Sequence, residues 1–510
     1  MYKLHLILKY LRKRRIAWVS LVAVMLCTTM VLVVISVMGG WLRMFREQFH
    51  SLSGDVIIRG RSQLVGFPHY ERMIQRILRE VPEAVAAAPV ITTFGLVSIN
   101  GTDPRGVQVV GYPPNIGQVN GFVRSLHLRS DRQELSFALW PDRQYPTSLP
   151  GSLEEIDPSQ WPGMIVGSGV IGLRKDRNGA IHRPDWLYSS YIDLTVLPIP
   201  EGGAALANPL TGSERAVFWL VDDSRTKVYI VDSSNVYVSF DVLQDLLRMR
   251  GGSGRPARTS EVQVALRPGA DVNAARDRIE RVAHAVMLES ADGEDRAFYE
   301  AQRRELDEAR RRLQELRRRG AGGIELEEAR RREAIAADNL ERFFRFQVLT
   351  WEQVHASFIG AVEKEKGLVT ILFGMISIVA VGLIFCIFYM IVVEKTRDIG
   401  IIKSVGATSS GVAAIFLGYG ASIGLAGAAA GFGAAWLIVR YINELHDMLG
   451  KAGIVVWNPE IYLFDTIPNT MNPPEVAAIL VVAVVASVLG ALLPALRAAR
   501  LHPVEALRWE

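Results

Sequence analysis

Four uncharged stretches, at residues 16–38, 367–393, 411–439 and 476–496, limit what this chain can fold into. Each is long enough to cross a bilayer core of roughly 30 Å, which takes about 20 helical residues. None contains Asp, Glu, Lys, Arg or His. They predict four transmembrane helices. The first spans 23 apolar or small polar residues, more than a leader's apolar core needs, and no A-x-A-like cleavage pattern follows it, so it reads as a retained anchor.

Lys and Arg gather on the cytoplasmic side of membrane spans. Residues 1–15 hold six of them: Lys3, Lys9, Arg12, Lys13, Arg14 and Arg15. This predicts a cytoplasmic N-terminus at 1–15, an external region at 39–366, a cytoplasmic loop at 394–410, a short external loop at 440–475 and a cytoplasmic tail at 497–510. The 440–475 loop carries only Arg440 and Lys451 against several acids, in agreement. The chain is 49% hydrophobic and 22% charged, a mixture expected of spans joined to a large exposed domain. Its two cysteines, Cys27 and Cys386, both fall in predicted spans, so the external region must fold without a disulfide. The net charge of +4 is mostly accounted for by the cytoplasmic ends and implies no nucleic-acid partner.

The external region 39–290 predicts an α+β domain, in two subdomains. Runs such as DVIIRG, GLVSIN, GVQVVGYPP, GMIVGSG, YIDLTVLPIP, TKVYIVD and NVYVSF are rich in Val, Ile and Tyr and bounded by turn formers, which reads as strands. Residues 69–80, 240–250 and 271–287 read as helices. Residues 291–345 differ: 14 Arg and 14 Asp or Glu make a heavily charged segment of no net charge. Leu306, Ala309, Leu313 and Leu316, then Leu326, Ala329, Ala336, Leu340 and Phe343, follow heptad spacing on either side of RGAGG. A helical hairpin of coiled-coil type is expected, either a solvated structural insert or an arm for an external partner, and 346–366 returns the chain to the membrane.

Charge-free spans offer no relay for ion-coupled transport. Gly420, Gly424, Gly427 and Gly431 lie on one face of the third span, where they would admit close helix packing. The sequence has no H-E-x-x-H pair and no G-x-x-x-x-G-K-[ST] phosphate loop, and its G-x-S-x-G match at Gly420–Gly424 falls inside an apolar span and not at a strand-to-helix turn, so no enzyme, metal site or nucleotide site is expected in this chain. Any work it does needs energy from another chain. The loop after the second span fits that need. Read as a helix over 394–405, it has Ile399, Ile402 and Val405 every third residue as an apolar ridge, with Lys395, Thr396, Arg397 and Asp398 in the first turn and Gly400 and Gly406 permitting close approach or a turn.

The stretches EKTRDIGIIKSVGAT, IFLGYGASIGLAGAAAG and LLPALRAARLHPVEALRWE resemble the permease subunits of the ABC superfamily that share the macrolide-exporter and FtsX-like fold. KYLRKRR leading to ISVMGGW, together with VQVVGYPP, PGMIVGSGVIGL and TWEQVHASFIGAVEKEKG, is similar to the lipoprotein-releasing (LolC/LolE-type) permeases. The resemblance implies an inner-membrane, multi-pass permease with its large domain in the periplasm. It assigns Glu394, Lys395, Thr396, Arg397, Asp398, Ile399, Gly400, Ile401, Ile402, Lys403 and Gly406 to a coupling helix seated on a separate ATPase subunit, which binds the ATP and Mg. It implies a second permease, identical or paralogous, surrounding lipids, and release or export of lipoproteins or other hydrophobic cargo by mechanical transmission. The hairpin at 291–345 and an expanded 124–160 depart from that family's pattern. An alternative within the same superfamily is a non-transporting scaffold that switches a periplasmic partner such as a cell-wall hydrolase.

Overall fold

The computed structural model describes residues 15–502 apart from 103, 150–154, 174–181, 185, 200–211, 253–254, 321, 455–456, 459–463 and 465. The basic stretch 1–14 and the tail 503–510 therefore lie outside the described residues. In chain order the elements begin with the long helix α1 (Arg15–Ser51), then β1 (Val56–Gly60), β2 (Phe67–Pro68), α2 (Tyr70–Glu80), β3 (Ala84–Ile99), β4 (Arg105–Tyr112), β5 (Gly163–Gly167), β6 (Tyr191–Val196) and β7 (Glu214–Ser224). There follow α3 (Tyr229–Ser234), β8 (Asn235–Ser239), α4 (Phe240–Leu246), β9 (Arg258–Thr259), β10 (Glu261–Leu266), α5 (Val272–Ser290), α6 (Gly293–Arg318), α7 (Ile324–Phe343) and β11 (Phe346–Thr350). Last come α8 (Ala356–Glu394), α9 (Thr396–Ser404), α10 (Ser409–Arg440), α11 (Ile442–Lys451) and α12 (Pro473–Arg500). Two compact units result, one of residues 1–46, 357–462 and 466–510, the other of 47–356 and 463–465.

In the first unit α1, α8, α10 and α12 are long and apolar enough to cross a membrane. Two of them outrun the predicted spans: α1 continues to Ser51 and α8 starts at Ala356. Side chains on these extensions give the extra turns partners. Trp41 and Phe45 stack with centroids 5.7 Å apart, Phe358 lies 4.5 Å from Phe45, and Arg46 pairs with Glu363 at 3.0 Å. Lys366 on α8 pairs with Glu475 on α12, also at 3.0 Å.

The second unit is organised by β3, whose 16 residues serve two sheets. Its first half pairs with β10, in the antiparallel order β11-β1-β10-β3. With α2 between β1 and β3, and α5 between β10 and β11, this is a split βαβ arrangement of the β-α-β-β-α-β kind. Its second half pairs with β4 on one side and β6 on the other, and β4, β8, β5, β7 and β6 complete the circuit, so six strands close into a ring. Closure removes sheet edges that would otherwise invite pairing with other chains. One apolar core runs from the sheet and its helices (Val56, Val262, Ile77, Ile279) into the ring interior (Val109, Met164, Leu194, Phe218). The two expected subdomains are thus one compact unit sharing a strand.

A second core covers the opposite face, where Trp219 and Tyr237 are buried against Phe122, Leu126 and Leu135. The expanded segment at 124–160 supplies part of that cover. Trp140 Nε1 donates to Val221 O at 2.7 Å, and Trp219 Nε1 donates to Pro158 O at 2.9 Å. One strand expectation is corrected. TKVYIVD is β-branched and aromatic, yet it forms α3, because the Asp232 carboxylate accepts from Thr226 N at 2.7 Å, Thr226 Oγ1 at 2.9 Å and Lys227 N at 3.2 Å, folding the run back on itself. Lys227 takes a left-handed φ of 65° at that bend.

Between α5 and β11 the chain inserts α6 and α7, of 26 and 20 residues. They pack on each other through Leu313, Leu316 and Ala329, with Leu306 and Ala336 also buried and Arg310 reaching Glu333 at 3.3 Å.

Asp222, on β7, is fully buried, and burial pushes its carboxyl up to about 6 although Leu128 N and Asp223 N both donate to it. Below pH about 4 the folded and unfolded chains both carry the proton. As pH rises toward 6 the unfolded chain releases it first, so stability falls through this window and stays lower above it. Asp222→Asn should therefore raise the thermal unfolding midpoint at pH 7.5, by up to about 2–3 kcal/mol of stability, and change little at pH 4, followed by tryptophan fluorescence.

Candidate functional site

Between α8 and α10 the chain makes a turn that local chemistry fixes at both ends. Helix α8 stops at Glu394, and Lys395 leaves the helical region with ψ near zero. Thr396 Oγ1 donates back to Val392 O at 3.1 Å and Val393 O at 2.8 Å, and the Lys395 ammonium pairs with Asp398 one turn on. At the other end, Gly406 has φ 105°, Gly406 N donates to Lys403 O at 3.1 Å and Ala407 N donates to Ile402 O at 3.2 Å. That pair of bonds is the Schellman stop, in which a left-handed residue ends the helix, and glycine takes that conformation at least cost. Thr408 then caps α10 by accepting from Gly411 N at 3.2 Å.

Packing divides the turn into two faces. Inward, Ile399 is 3% exposed and sits in a cluster with Val412, Phe416, Ile391, Ala495 and Ala498, and Gly400 is buried beside it. Lys403 Nζ donates to Ala499 O and Leu501 O, each at 2.8 Å, so a cation closes the carbonyl end of α12. Outward lie Glu394, Arg397, Ile401 and Val405, with Ile401 49% and Val405 84% exposed.

The expected ridge of Ile399, Ile402 and Val405 is corrected accordingly. Ile399 is core, Ile402 is half-buried, and the exposed apolar pair is Ile401 with Val405, an i, i+4 pair on one helix face. Counting every third residue drifted round the helix; a 3.6-residue period would have found the pair. The expected continuous helix over 394–405 is two helices meeting at Lys395. Sequence reasoning also missed that Lys403 turns inward, since the carbonyls it holds are about a hundred residues away.

The glycine stripe faces two neighbours. A Cβ built on Gly420 would stand 2.6 Å from Ala491 Cβ, and one on Gly424 would stand 2.8 Å from Ser487 Cβ, both on α12. On Gly427 and Gly431 it would stand 2.8 Å from Val24 Cβ and Thr28 Cβ on α1. The four glycines thus let α10 lie against α12 and α1 at backbone distance. Among the described residues no group of three or more His, Cys, Asp or Glu could hold a metal.

Gly424→Leu should force α10 off α12 and lower the unfolding midpoint in detergent, at a cost on the order of 1–3 kcal/mol. Gly433→Ala, on the same helix with nothing within 4 Å of the added Cβ, should not lower the midpoint and should raise it slightly, because Ala is the better helix former.

Residues 370–503 match the family model described as FtsX-like permease C-terminal, which encloses the whole turn and the glycine stripe, and residues 17–134 match the MacB-like periplasmic core domain. The lipoprotein-releasing system transmembrane protein LolC of Neisseria meningitidis is 32% identical over 167 residues, 32% of this chain and 40% of that protein. LolE of Haemophilus influenzae is 30% identical over 122 residues, 23% of this chain and 29% of that protein. The chain thus aligns with less than half the length of these curated relatives. The periplasmic region of MacB from Actinobacillus actinomycetemcomitans aligns with 45% of this chain and 82% of its own at 11% identity and a TM-score of 0.25, too slight a likeness to carry an argument. The chain thus carries one segment similar to the FtsX-like permease C-terminal model and another similar to the MacB-like periplasmic core model.

Proposed function

We propose that this chain is the transmembrane subunit of an ABC transporter whose ATP and Mg are bound by a separate ATPase subunit docked on the 394–406 turn. The chain lies in the inner membrane with the α+β domain in the periplasm, pairs with a second permease, and works mechanically on lipoproteins or other hydrophobic cargo. The observation that carries this reading is the outward pair Ile401 and Val405 on a turn whose inner face is locked into the helix unit. An exposed apolar pair flanked by Arg397 suits a groove on a partner, and the anchored inner face lets the partner's movement reach α8, α10 and α12. Connectivity supports the mechanical half. The strand that follows α1 and the strand that precedes α8 are β1 and β11, which pair from Val56↔Thr350 to Gly60↔Phe346. Residues 291–345, as a coiled-coil arm, engage an external partner.

Co-expression with a cognate ABC-type ATPase subunit provides the test. Ile401→Asp combined with Val405→Asp should abolish co-purification of the ATPase and the stimulation of its turnover, while the unfolding midpoint of the permease stays unchanged because both side chains are exposed. A double variant that retains the ATPase and full stimulation would contradict the docking site.

A further inference from the structure

Helix α10 begins at the 394–406 turn and is long and apolar enough to cross a membrane, so α11, which follows it after Tyr441 alone, lies at the opposite end of that span. At 3.6 residues per turn the side chains of α11 fall into three strips. Ile442, Asn443, His446 and Leu449 are half-buried and turn inward. Glu444, Asp447 and Lys451 form an exposed charged strip. Beside it Tyr441, Leu445 and Met448, spaced i, i+4, i+7, form an apolar strip that is 55%, 39% and 61% exposed. That strip extends the exposed apolar surface at the end of α10, where Trp436, Leu437 and Ile438 are uncovered. The inward strip ties α11 to the rest of its unit. Asn443 Nδ2 donates to Ile467 O at 3.0 Å, and Ile467 N donates to Asn443 Oδ1 at 2.9 Å. The next residue, Pro468, lies so close to α1 that a Cβ built on Gly40 would stand 2.7 Å from Pro468 Cβ.

We infer that α11 is an interfacial helix whose partner is the lipid surface on the side of the membrane away from the 394–406 turn. A helix that exposes one apolar and one charged strip side by side fits the bilayer boundary, where hydrocarbon and water meet within the helix's own width. Tyr441, Leu445 and Met448 enter the lipid, as a continuation of the lipid-facing surface of α10, and Trp436 and Tyr441 supply the aromatic residues that collect at such boundaries. Arg440 and Lys451 are matched in number by Glu444 and Asp447, so the adhesion is apolar and needs no anionic headgroups. Through the Asn443 clasp and Pro468, the depth of α11 sets the position of the connection into α12 over the Gly40 end of α1. The inference goes beyond ATPase docking and rests only on the reading of α10 as a membrane span.

The test uses the full chain in lipid nanodiscs, with Cys27 and Cys386 replaced by Ser and bimane attached to Met448→Cys, Asp447→Cys or Leu425→Cys. Bimane at 448 should be quenched severalfold more by lipids bearing a nitroxide near the headgroup than by iodide in the water, as for a side chain about 5–10 Å into the boundary. At 447 the preference should reverse, and both results should be the same in phosphatidylcholine and phosphatidylglycerol discs. Iodide quenching at 448 as strong as at 447 would overturn the inference. Screening of 448 from both quenchers would also overturn it, by showing a protein surface over the strip, and lipid quenching that disappears without phosphatidylglycerol would overturn the apolar adhesion. Leu425 is 66% exposed midway along α10, and bimane there should be quenched by lipids with the nitroxide deep in the acyl chain. Absence of that signal would remove the span on which the inference rests, a failure distinct from that of α11 itself.

Discussion

The ammonium of Lys403, donating to the last carbonyls of α12, is the contact on which the functional reading turns. A helix C-terminus leaves carbonyls without intrahelical partners, and a cation there gains from both hydrogen bonding and the helix dipole. In this chain that cation comes from the turn after α8, not from α12 itself. With Ile399 buried between α8, α10 and α12, the turn is held by one charged contact and one apolar plug. A short helix held in this way behaves as a fixed feature of the helix unit's surface and not as a slack loop.

Behind the turn, the spans provide stiffness without chemistry. Their predicted apolar stretches carry no Asp, Glu, Lys, Arg or His, and the glycine stripe of α10 brings backbones together, so that close packing, joined by a hydrogen bond from Thr29 Oγ1 to Gly431 O at 3.1 Å, holds α10 to α12 and α1. The α+β unit has its own source of rigidity. Because β3 belongs to both the four-stranded sheet and the six-stranded ring, the two halves cannot shift independently without breaking one strand's ladder. The strands continuous in sequence with α1 and α8 are hydrogen-bonded to each other at one side of that sheet.

Much of this was legible in the sequence where a signal was local. Four charge-free stretches gave four apolar helices, Gly420 through Gly431 at helical spacing gave a packing face, and Gly406 marked the end of α9. What escaped depended on distant partners. The strand-like TKVYIVD became a helix because of one carboxylate, Asp232, and the first half of β3, AVAAAPV, lacks the β-branched alternation that advertises a strand and is extended because β10 pairs with it. On the turn, only the fold could say which isoleucine is covered. Ile399 and Ile401 are two residues apart and chemically identical, yet one meets Phe416 and the other faces outward.

If an ATPase docks on the 394–406 turn as proposed, the turn and the carbonyl end of α12 move as one body during ATP turnover. Double electron–electron resonance tests it most directly, with spin labels at positions 405 and 501, native Cys27 and Cys386 replaced, and the permease assembled with its ATPase in nanodiscs. The account predicts one narrow distance distribution that is the same without nucleotide, with ATP and after vanadate trapping. A distribution that broadens or shifts between those states would show the turn hinging away from α12, and would contradict it.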